Sequence, residues 1–450
     1  MMLKSLALFF LLFFSPSYLF AVEIDKGIGT ESTAPFQVAP SSQEPSQNRA
    51  PADKADPDVI SVAPKTESPV SPDPKENVPV SYASNPVAEK AVEKSITLFT
   101  EKIKERFSLY LQRSGEYVEL MKEILKSYNI PEDIAFLPLI ESGFNPNAYS
   151  VARAVGPWQF IASTAKKYGL TIDWWRDERK DPVKSTAAAA SYLKDLYDMF
   201  GSWNLAMAAY NAGEGKILKA LNRTKSDNYW ALLNTRHIKK ETKEYVPRFI
   251  AAKLIAANPG YYGFDDLVYR APFEYDEVVL DGPLDLDVAA RCAETSVETI
   301  RDLNPEIRRW STPANVRPYT LRIPFGKKAV FLANLANVPE DEKFSVARYT
   351  VRKGDTLKKI SKRTGIPVSV IAELNEDDGG RSPLKAGETV YLPPKEKFHL
   401  DRDDRLEKRK PVRHRVFKHR VLRHRHEARR KRVRKIIVTS LDKKHIVAED

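Results

Sequence analysis

The sequence contains almost no cysteine, and its histidines are sparse outside one end. Cys292 is the only cysteine among 450 residues, so the chain has no internal disulfide and must be stable through packing alone. A lone cysteine is most simply a small buried apolar residue. Between residues 87 and 262, His237 is the only histidine, which excludes a histidine-based metallopeptidase site there. The sequence predicts neither a metal nor a cofactor.

Long apolar runs are also missing. The run at residues 6–14 is short for a membrane span. Lys4 before this run and Ala21 after it are typical of a secretory signal, so we predict a signal peptide over residues 1–21 and a location in the periplasm or cell envelope. Leu19 is larger than the residue usually found two positions before a cleavage site. Retention of the segment as a membrane anchor is therefore the alternative.

The net charge of +12 is not spread over the chain. Residues 405–435 hold sixteen Lys or Arg against two Glu, which leaves the remainder slightly acidic. We predict that residues 400–450 form a basic, disordered tail that binds anionic lipid headgroups, lipopolysaccharide or wall carboxylates by charge. Since the chain is predicted to be exported, nucleic acid is not an expected partner.

Residues 22–85 lack the apolar side chains needed to offset the entropy of ordering, and proline recurs every few residues. They predict a disordered linker with a reach on the order of 45 Å if coil-like.

Residues 86–265 carry few strand signals and show helical apolar periodicity, which predicts a mainly α domain. Asp181 followed by Pro182 is typical of a helix start, and Gly201 is typical of the end of that helix. Pro157 is predicted to begin an earlier helix that ends at Gly169.

A strand-helix-helix-strand order follows, once over residues 271–326 and again over residues 347–394. Residues 284–304 align with residues 355–375 without a gap, and Asn304 falls on Asn375. The predicted fold class is therefore a mainly α domain followed by two small α+β modules that form an internal repeat.

Glu141 stands out chemically. If Pro131 is the first helical residue, then Ile134, Leu137 and Glu141 share one helix face. A carboxyl held among apolar residues has a raised pKa, as a general acid near neutral pH requires. Pro138 is expected to kink this helix, because an interior proline removes a hydrogen bond. Alone, a glutamate at a helix end is more often a solvated charge.

Four motifs then occur in order, and their residues are Glu141-Ser142, Gly156-Pro157-Trp158-Gln159, Ala208-Ala209-Tyr210-Asn211-Ala212-Gly213 and Glu241-Thr242-Lys243-Glu244-Tyr245-Val246. Together they resemble the catalytic domain of lytic murein transglycosylases, most closely the transglycosylase D group. The resemblance implies a lysozyme-like fold of the goose type. It also implies cleavage of the β-1,4 bond between N-acetylmuramic acid and N-acetylglucosamine in peptidoglycan.

In that family one glutamate serves as acid and then as base. The resemblance implies that Glu141 protonates the leaving oxygen and then withdraws the proton of the sugar's own C6 hydroxyl, which closes a 1,6-anhydro ring. No water attacks, so no second carboxylate is required, unlike in ordinary glycosidases.

The resemblance also implies a set of substrate-binding residues, namely Ser142, Gln159, Tyr210, Asn211 and Tyr245. Tyr245 is expected to orient Glu141. Tyr210 and Trp158 fit core packing as well as a wall of the sugar groove. Glu214 is interpreted as a solvated loop charge.

The second repeat resembles a LysM glycan-binding module, since residues 349–357 match its opening strand and turn. By this resemblance the glycan-binding candidates are Gly354, Asp355, Thr356 and Ile366. The first repeat departs from the pattern at residues 281–284 and is interpreted either as a degenerate LysM-like glycan reader or as a structural spacer.

Two other functions fit the sequence. The first is a hydrolytic muramidase of the goose-type lysozyme fold, in which Asp173, Asp177 or Asp181 positions water. The second is a non-catalytic wall-binding protein, in which the helical domain is a scaffold.

Overall fold

The computed structural model describes residues 85–375 and 383–397. The predicted signal peptide, the basic tail and all of the linker except Asn85 lie outside the described residues. Among the helices of the described ranges, none combines the length and the apolar character that a membrane crossing requires.

The described chain begins with a helical domain. Its α-helices are α1 (Pro86–Thr97), α2 (Lys104–Ser127), α3 (Leu137–Glu141), α4 (Ala162–Lys167), α5 (Pro182–Phe200), α6 (Trp203–Ala212), α7 (Glu214–Thr224), α8 (Tyr229–Leu232) and α9 (Lys240–Ala257). A π-helical turn (Leu98–Lys102) joins α1 to α2, and short 3-10 helices precede α3 (Glu132–Phe136) and follow α9 (Gly260–Tyr262). Between residues 85 and 274 there are isolated β-bridges but no strand, as the sequence predicts.

The predicted limits of α5 are confirmed. The Asp181 carboxylate accepts the backbone N–H groups of Val183 and Lys184 at 2.8 and 3.0 Å, and Gly201 ends the helix with φ +64°. The prediction that Pro157 begins a helix is wrong, because α4 starts only at Ala162. Residues 155–160 instead fold back on themselves in a tight loop closed by backbone hydrogen bonds.

One apolar core unites α2, α5, α6 and α9. Phe107 and Met121 of α2, Leu193 of α5 and Phe249 of α9 are fully buried in it. Burial of each such side chain stabilises the fold by about 1.5–3 kcal/mol. Buried alanines of α5 and α6 also lie in this core, where the two helices pack against each other.

Two small modules follow. The first contains β1 (Tyr275–Leu280), α10 (Leu286–Cys292), α11 (Val297–Leu303), β2 (Tyr319–Pro324), α12 (Lys328–Ala336) and α13 (Glu340–Lys343). The second contains β3 (Ala347–Thr350), α14 (Leu357–Thr364), α15 (Val368–Leu374) and β4 (Thr389–Leu392). Each has one antiparallel strand pair, β1 with β2 and β3 with β4. The predicted repeat and the predicted α+β class are confirmed, and Cys292 is buried as expected.

The repeat extends to individual hydrogen bonds. Asn304 follows α11, donates to the carbonyl of Arg322 at 2.7 Å and accepts the Arg322 N–H at 2.9 Å. Asn375 follows α15, donates to the carbonyl of Tyr391 at 2.9 Å and accepts the Tyr391 N–H at 2.7 Å. The aligned asparagines therefore have the same structural role, because each joins the closing strand of its module to the end of the preceding helix by two hydrogen bonds.

Candidate active site

Glu141 is the last residue of α3. Pro131 has extended backbone angles and precedes the first helical residue, so the prediction that it begins the helix is wrong. Pro138 lies in the first turn of α3, where the missing N–H costs no hydrogen bond, and the predicted kink is therefore wrong as well. The Pro138 carbonyl accepts the N–H groups of Ser142 and Gly143 at 3.0 and 2.9 Å, which ends the helix directly after Glu141.

The turn after Glu141 requires a glycine. Gly143 and Phe144 both have left-handed backbone angles, with φ of +61° and +57°. A Cβ atom on Gly143 would lie 2.1 Å from the ring of Tyr110 on α2. The chain therefore turns sharply against α2, and this turn holds the end of α3 in place.

The Glu141 carboxyl has an environment suited to a general acid. Burial raises its pKa from the ordinary value of 4.5 to about 7. A hydrogen bond from the Tyr245 hydroxyl to Oε1 lowers this pKa, and the negative charge of Glu241 raises it. Glu141 as a residue is half-buried, so it lies at the edge of the protein interior, where its charged form is desolvated. The expectation that burial raises this pKa is confirmed.

Helix α9 supplies the partner of Glu141. Tyr245 and Glu241 are four residues apart on α9 and so lie on one helix face. Tyr245 is almost fully buried, and burial together with the nearby Glu141 holds the pKa of its phenol well above the usual value. The Tyr245 phenol therefore stays protonated near neutral pH and donates its hydrogen bond to Glu141.

The loop of residues 148–160 carries Gln159 and faces α3. Gln159 has a left-handed φ of +49°, and its side-chain amide donates to the Gly156 carbonyl at 2.9 Å. The Ser142 hydroxyl donates to the Pro157 carbonyl at 2.9 Å. The residue after Glu141 is thus tied directly to the loop, and Ser142 acts here as a structural link.

Tyr210 and Trp158 differ in their surroundings. Trp158 is fully buried and donates its indole N–H to the Thr186 hydroxyl at 2.8 Å, which places it in the core. Tyr210 is half-buried and donates its hydroxyl to the Trp158 carbonyl at 2.7 Å. Tyr210 therefore secures the loop, and burial followed by the nearby Glu141 charge raises the pKa of its phenol well above the usual value.

Asn211 lies near the end of α6, is half-buried, and accepts a hydrogen bond from the Thr242 hydroxyl at 3.0 Å. This bond joins the Ala-Tyr-Asn-Ala-Gly motif to the start of α9. Glu214 begins α7 and is half-buried, and its negative charge helps to raise the pKa of the Tyr192 phenol after burial. The interpretation of Glu214 as a loop residue is therefore wrong, because it lies at the start of a helix, and its side chain is only partly solvated.

The three aspartates considered as water-positioning groups each have a structural interaction. Asp173 accepts the backbone N–H groups of Trp175 and Arg176, both at 2.8 Å. Asp177 forms an ion pair of 2.6 Å with Arg179. Asp181 caps α5, as described above. Each carboxylate is thus engaged in holding the chain. Within the described ranges, no group of three or more His, Cys, Asp or Glu side chains suits a metal ion.

The four glycan-binding candidates of the second module fall into two groups. Gly354, Asp355 and Thr356 form the turn between β3 and α14, where Asp355 accepts hydrogen bonds from the Tyr349 hydroxyl at 2.5 Å and the Arg352 N–H at 3.0 Å. Ile366 is only 4% exposed and packs inside the module. Their contact with glycan stays a prediction.

Three residues around the site have contacts that the sequence patterns do not predict. Thr242 lies inside the fourth motif, directly after Glu241, and its position in this motif is the one sequence feature that points to it. Tyr192 and Arg179 lie in no motif, and their contacts with Glu214 and with the loop depend on tertiary packing.

Three families match this chain. The transglycosylase SLT domain matches residues 119–233, a range that includes Glu141, Gln159 and Asn211 but not Tyr245. The LysM-like domain of the lytic transglycosylase MltD matches residues 274–340, and the LysM domain matches residues 349–393. The resemblance predicted from the motifs is confirmed, since the chain contains a transglycosylase SLT domain followed by two LysM-type domains.

Individual relatives agree. Membrane-bound lytic murein transglycosylase D of Escherichia coli (strain K12) is 32% identical over 294 residues, which are 62% of this chain and 64% of that protein. Membrane-bound lytic murein transglycosylase C of Haemophilus ducreyi is 26% identical over 166 residues, 31% of this chain and 45% of that protein. The chain therefore spans less than two thirds of the length of either relative.

Among solved structures, the 70 kDa soluble lytic transglycosylase of Escherichia coli aligns with a TM-score of 0.29 and 23% identity over 41% of this chain and 31% of that one.

Proposed function

We propose that this chain, with its transglycosylase SLT domain and two LysM-type domains, is a peptidoglycan lytic transglycosylase. In this proposal it cleaves the β-1,4 bond between N-acetylmuramic acid and N-acetylglucosamine and leaves 1,6-anhydromuramic acid ends. The observation that supports it most directly is Glu141, a half-buried carboxyl whose pKa is about 7 and whose Oε1 accepts the Tyr245 hydroxyl.

The pKa of Glu141 suits both halves of this reaction. Near neutral pH a large share of the carboxyl is protonated, so Glu141 can donate its proton to the glycosidic oxygen as the bond to C1 breaks. The resulting carboxylate then accepts the proton of the C6 hydroxyl while O6 bonds to C1. The proton is thereby returned to Glu141, and no water is consumed. Tyr245 stabilises the carboxylate between the two steps by its hydrogen bond.

In this proposal two of the remaining site residues hold the sugar and two others position the loop beside it. Gln159 and Asn211 offer amide groups to sugar substituents, and Tyr210 and Ser142 fix the loop that carries Gln159. General acid-base transfer raises the rate only by about 10² to 10⁴. Binding of the sugar must therefore provide the remaining rate enhancement by distorting and orienting it.

Two further parts of the proposal concern location and binding. The second module binds the glycan strand, with Gly354, Asp355, Thr356 and Ile366 as candidates. The E. coli and H. ducreyi relatives are named membrane-bound, and we place this protein in the periplasm or cell envelope.

In this proposal the basic tail adds adhesion to anionic envelope surfaces. Pelleting with anionic vesicles should weaken as salt rises, and retention that ignores ionic strength would reject this role.

The test of the catalytic role is Glu141→Gln, which keeps the shape of the side chain but removes its proton exchange. We expect solubilisation of purified peptidoglycan to fall by about 10² or more. The matched control is Glu132→Gln, which makes the same change at an exposed glutamate in the 3-10 helix before α3 and should leave the rate nearly unchanged. Equal rates for the two variants would refute the role of Glu141. A wild-type protein that binds peptidoglycan but releases nothing would instead favour the wall-binding alternative.

A further inference from the structure

Residues 173–181, here called the bridging segment, lie directly behind the loop of residues 148–160. A Cβ atom on Gly156 would lie 1.8 Å from the Arg179 carbonyl oxygen, so the loop backbone rests on the segment. The Arg179 guanidinium donates to the carbonyls of Arg153 and Phe160 at 3.1 and 3.2 Å. Asp177 holds that guanidinium by an ion pair of 2.6 Å. One side of the bridging segment therefore fixes the shape of the loop that carries Gln159.

The opposite side of the bridging segment is bound by the first module. The Asp177 N–H donates to the Glu306 carbonyl at 2.8 Å, and the Arg308 N–H donates to the Trp175 carbonyl at 2.8 Å. The Arg308 side chain also donates to the Asp173 carbonyl at 2.6 Å. This short backbone ladder makes the bridging segment and residues 306–308 one structural unit.

A buried ion pair reinforces the ladder. Arg322 on β2 of the first module donates to both carboxylate oxygens of Asp181, at 3.0 and 3.2 Å. The Asp181 side chain is fully buried and that of Arg322 is 8% exposed. Asp181 also caps α5, so Arg322 acts on the start of a core helix. Since a buried charge that loses its partner is strongly destabilising, this pair keeps the module in place.

Aromatic packing completes the contact. Trp174 and Trp175 of the bridging segment lie with ring centroids 6.0 and 5.6 Å from that of Trp310 in the first module. Trp175 is fully buried and donates its indole N–H to Glu373 of the second module at 2.9 Å. The bridging segment therefore contacts the loop, the first module and the second module at once.

We infer that the first module, residues 274–340, is a structural part of the catalytic site and that Arg322 and Arg179 are positioning residues for it. The module fixes the bridging segment, and the bridging segment fixes the loop that carries Gln159. The loop reaches Glu141 through the hydrogen bond between Ser142 and the Pro157 carbonyl. This inference gives the degenerate repeat a role that does not depend on glycan binding. Its catalytic consequence rests on the proposed function.

The test compares Arg322→Gln with Lys327→Gln in the full chain. Both changes remove one positive charge from the first module, but Lys327 forms its 2.9 Å ion pair with the exposed Glu294. The loop amides of Val155, Gly156 and Phe160 are hydrogen-bonded and so report on the loop by hydrogen exchange. We expect Arg322→Gln to speed exchange of these amides and to lower kcat on a short soluble glycan by about tenfold, with KM less affected. Lys327→Gln should change neither.

Two further variants keep the test decisive if Arg322→Gln does not fold. Arg308→Gln removes the side-chain bond to the Asp173 carbonyl but leaves the backbone bond between the Arg308 N–H and the Trp175 carbonyl, and it should act in the same direction with a smaller effect. Arg179→Lys keeps the charge but loses the paired contacts with the loop, so exchange should rise in the loop while residues 306–308 stay protected. Faster exchange at residues 306–308 with an unchanged loop and unchanged kcat would overturn the inference.

Hydrogen exchange needs no turnover, so this test is separate from that of the proposed function. An inactive wild-type protein whose loop still loosens in Arg322→Gln would reject the proposed function and keep the structural coupling. An active protein whose loop exchange is unchanged by Arg322→Gln would reject the structural coupling and keep the proposed function.

Discussion

At the scale of single residues, Glu141 is balanced between two neighbours of opposite effect. Tyr245 donates to the carboxylate and so favours the charged form, while the negative charge of Glu241 disfavours it. Burial is the largest of the three effects and acts in the same direction as Glu241, so the pKa lies at about 7 despite the hydrogen bond from Tyr245. This arrangement predicts that the pH dependence of the proposed reaction can be moved in either direction by a conservative change that leaves Glu141 in place.

The first such change is Tyr245→Phe. Loss of the hydroxyl removes a hydrogen bond to the charged form, so the pKa of Glu141 should rise. The decline of kcat/KM at high pH should therefore shift to higher pH, while kcat itself falls because the carboxylate intermediate is less stabilised. The measurement is the pH profile of kcat/KM on a soluble glycan. A shift to lower pH would show that Tyr245 does not act through this hydrogen bond.

The second change, Glu241→Gln, should act with the opposite sign. Removing a nearby negative charge makes ionisation of Glu141 easier, and the decline of kcat/KM should move to lower pH. High salt should shrink this shift, because the effect is a charge interaction rather than a hydrogen bond. Profiles that move the same way in both variants would show that Tyr245 and Glu241 do not act on the pKa of Glu141 in opposite directions.

The raised pKa of Glu141 also has a consequence for stability. Its folded-state pKa of about 7 lies above the ordinary 4.5, so the folded state holds the proton more tightly than the unfolded state does. The stabilising effect is fully present below about pH 4.5 and is lost as pH rises to about 7. Glu141→Gln should therefore be more stable than wild type above pH 7, and the gap should close in acid. A gap independent of pH, measured by urea unfolding, would contradict the raised pKa.

At the scale of elements, the conformation of the loop of residues 148–160 depends mainly on one glycine. The helix start predicted at Pro157 does not decide it. Gly156 combines a left-handed φ of +84° with the close approach to Arg179. Gly169, which follows the C-terminal cap of α4, has a nearly identical φ of +86°, but no atom lies within 4 Å of the position that a Cβ would take. An alanine at Gly169 would therefore cause backbone strain alone, whereas an alanine at Gly156 would cause the same strain and also a steric clash.

We expect Gly169→Ala to lower the free energy of unfolding by about 1–2 kcal/mol, from left-handed strain alone. Gly156→Ala should lose a further ~1–3 kcal/mol through overpacking and should also impair activity, because the loop must move. Urea unfolding and turnover of soluble glycan measure the two effects. Equal losses of stability, or a fully active Gly156→Ala, would show that the loop does not rest on the bridging segment.

Sequence patterns predicted those elements whose ends carry local signals. The cap at Asp181, the stop at Gly201 and the strand-helix-helix-strand repeat follow from such signals, and the structure has them. The errors at Pro131 and Pro157 have a common cause. Proline fits the position before a helix, the first turn of a helix and a tight loop equally well, and only the tertiary contacts of the neighbouring residues decide among them.

At the scale of the whole molecule, the sequence predicts the motif residues but not the contact between the helical domain and the first module. Asp181 and Arg322 are 141 positions apart, and neither stands in a pattern that points to the other. A buried aspartate at a helix cap looks the same in a sequence whether or not a distant arginine meets it. The first module therefore looked like a spacer, although its residues reach the bridging segment behind the loop.

The second module gives a prediction at this scale. Deletion of residues 347–394 should weaken sedimentation of the protein with insoluble cell wall and spare cleavage of short soluble fragments. Glu373→Gln is the control, because it weakens the contact with Trp175 but leaves the module present. Unchanged sedimentation after the deletion would remove the glycan-binding role. Loss of cleavage in both variants would instead mean that the contact with Trp175 supports the catalytic site.

If Glu141 alone transfers the proton in both directions, no water enters the cleaved bond. Digestion of purified peptidoglycan in water enriched in heavy oxygen, followed by mass analysis of the released fragments, tests this mechanism. We expect anhydro ends that lack one water and carry no heavy oxygen, and we expect none of these products from Glu141→Gln. Reducing ends that carry heavy oxygen would refute the mechanism and identify a hydrolytic muramidase.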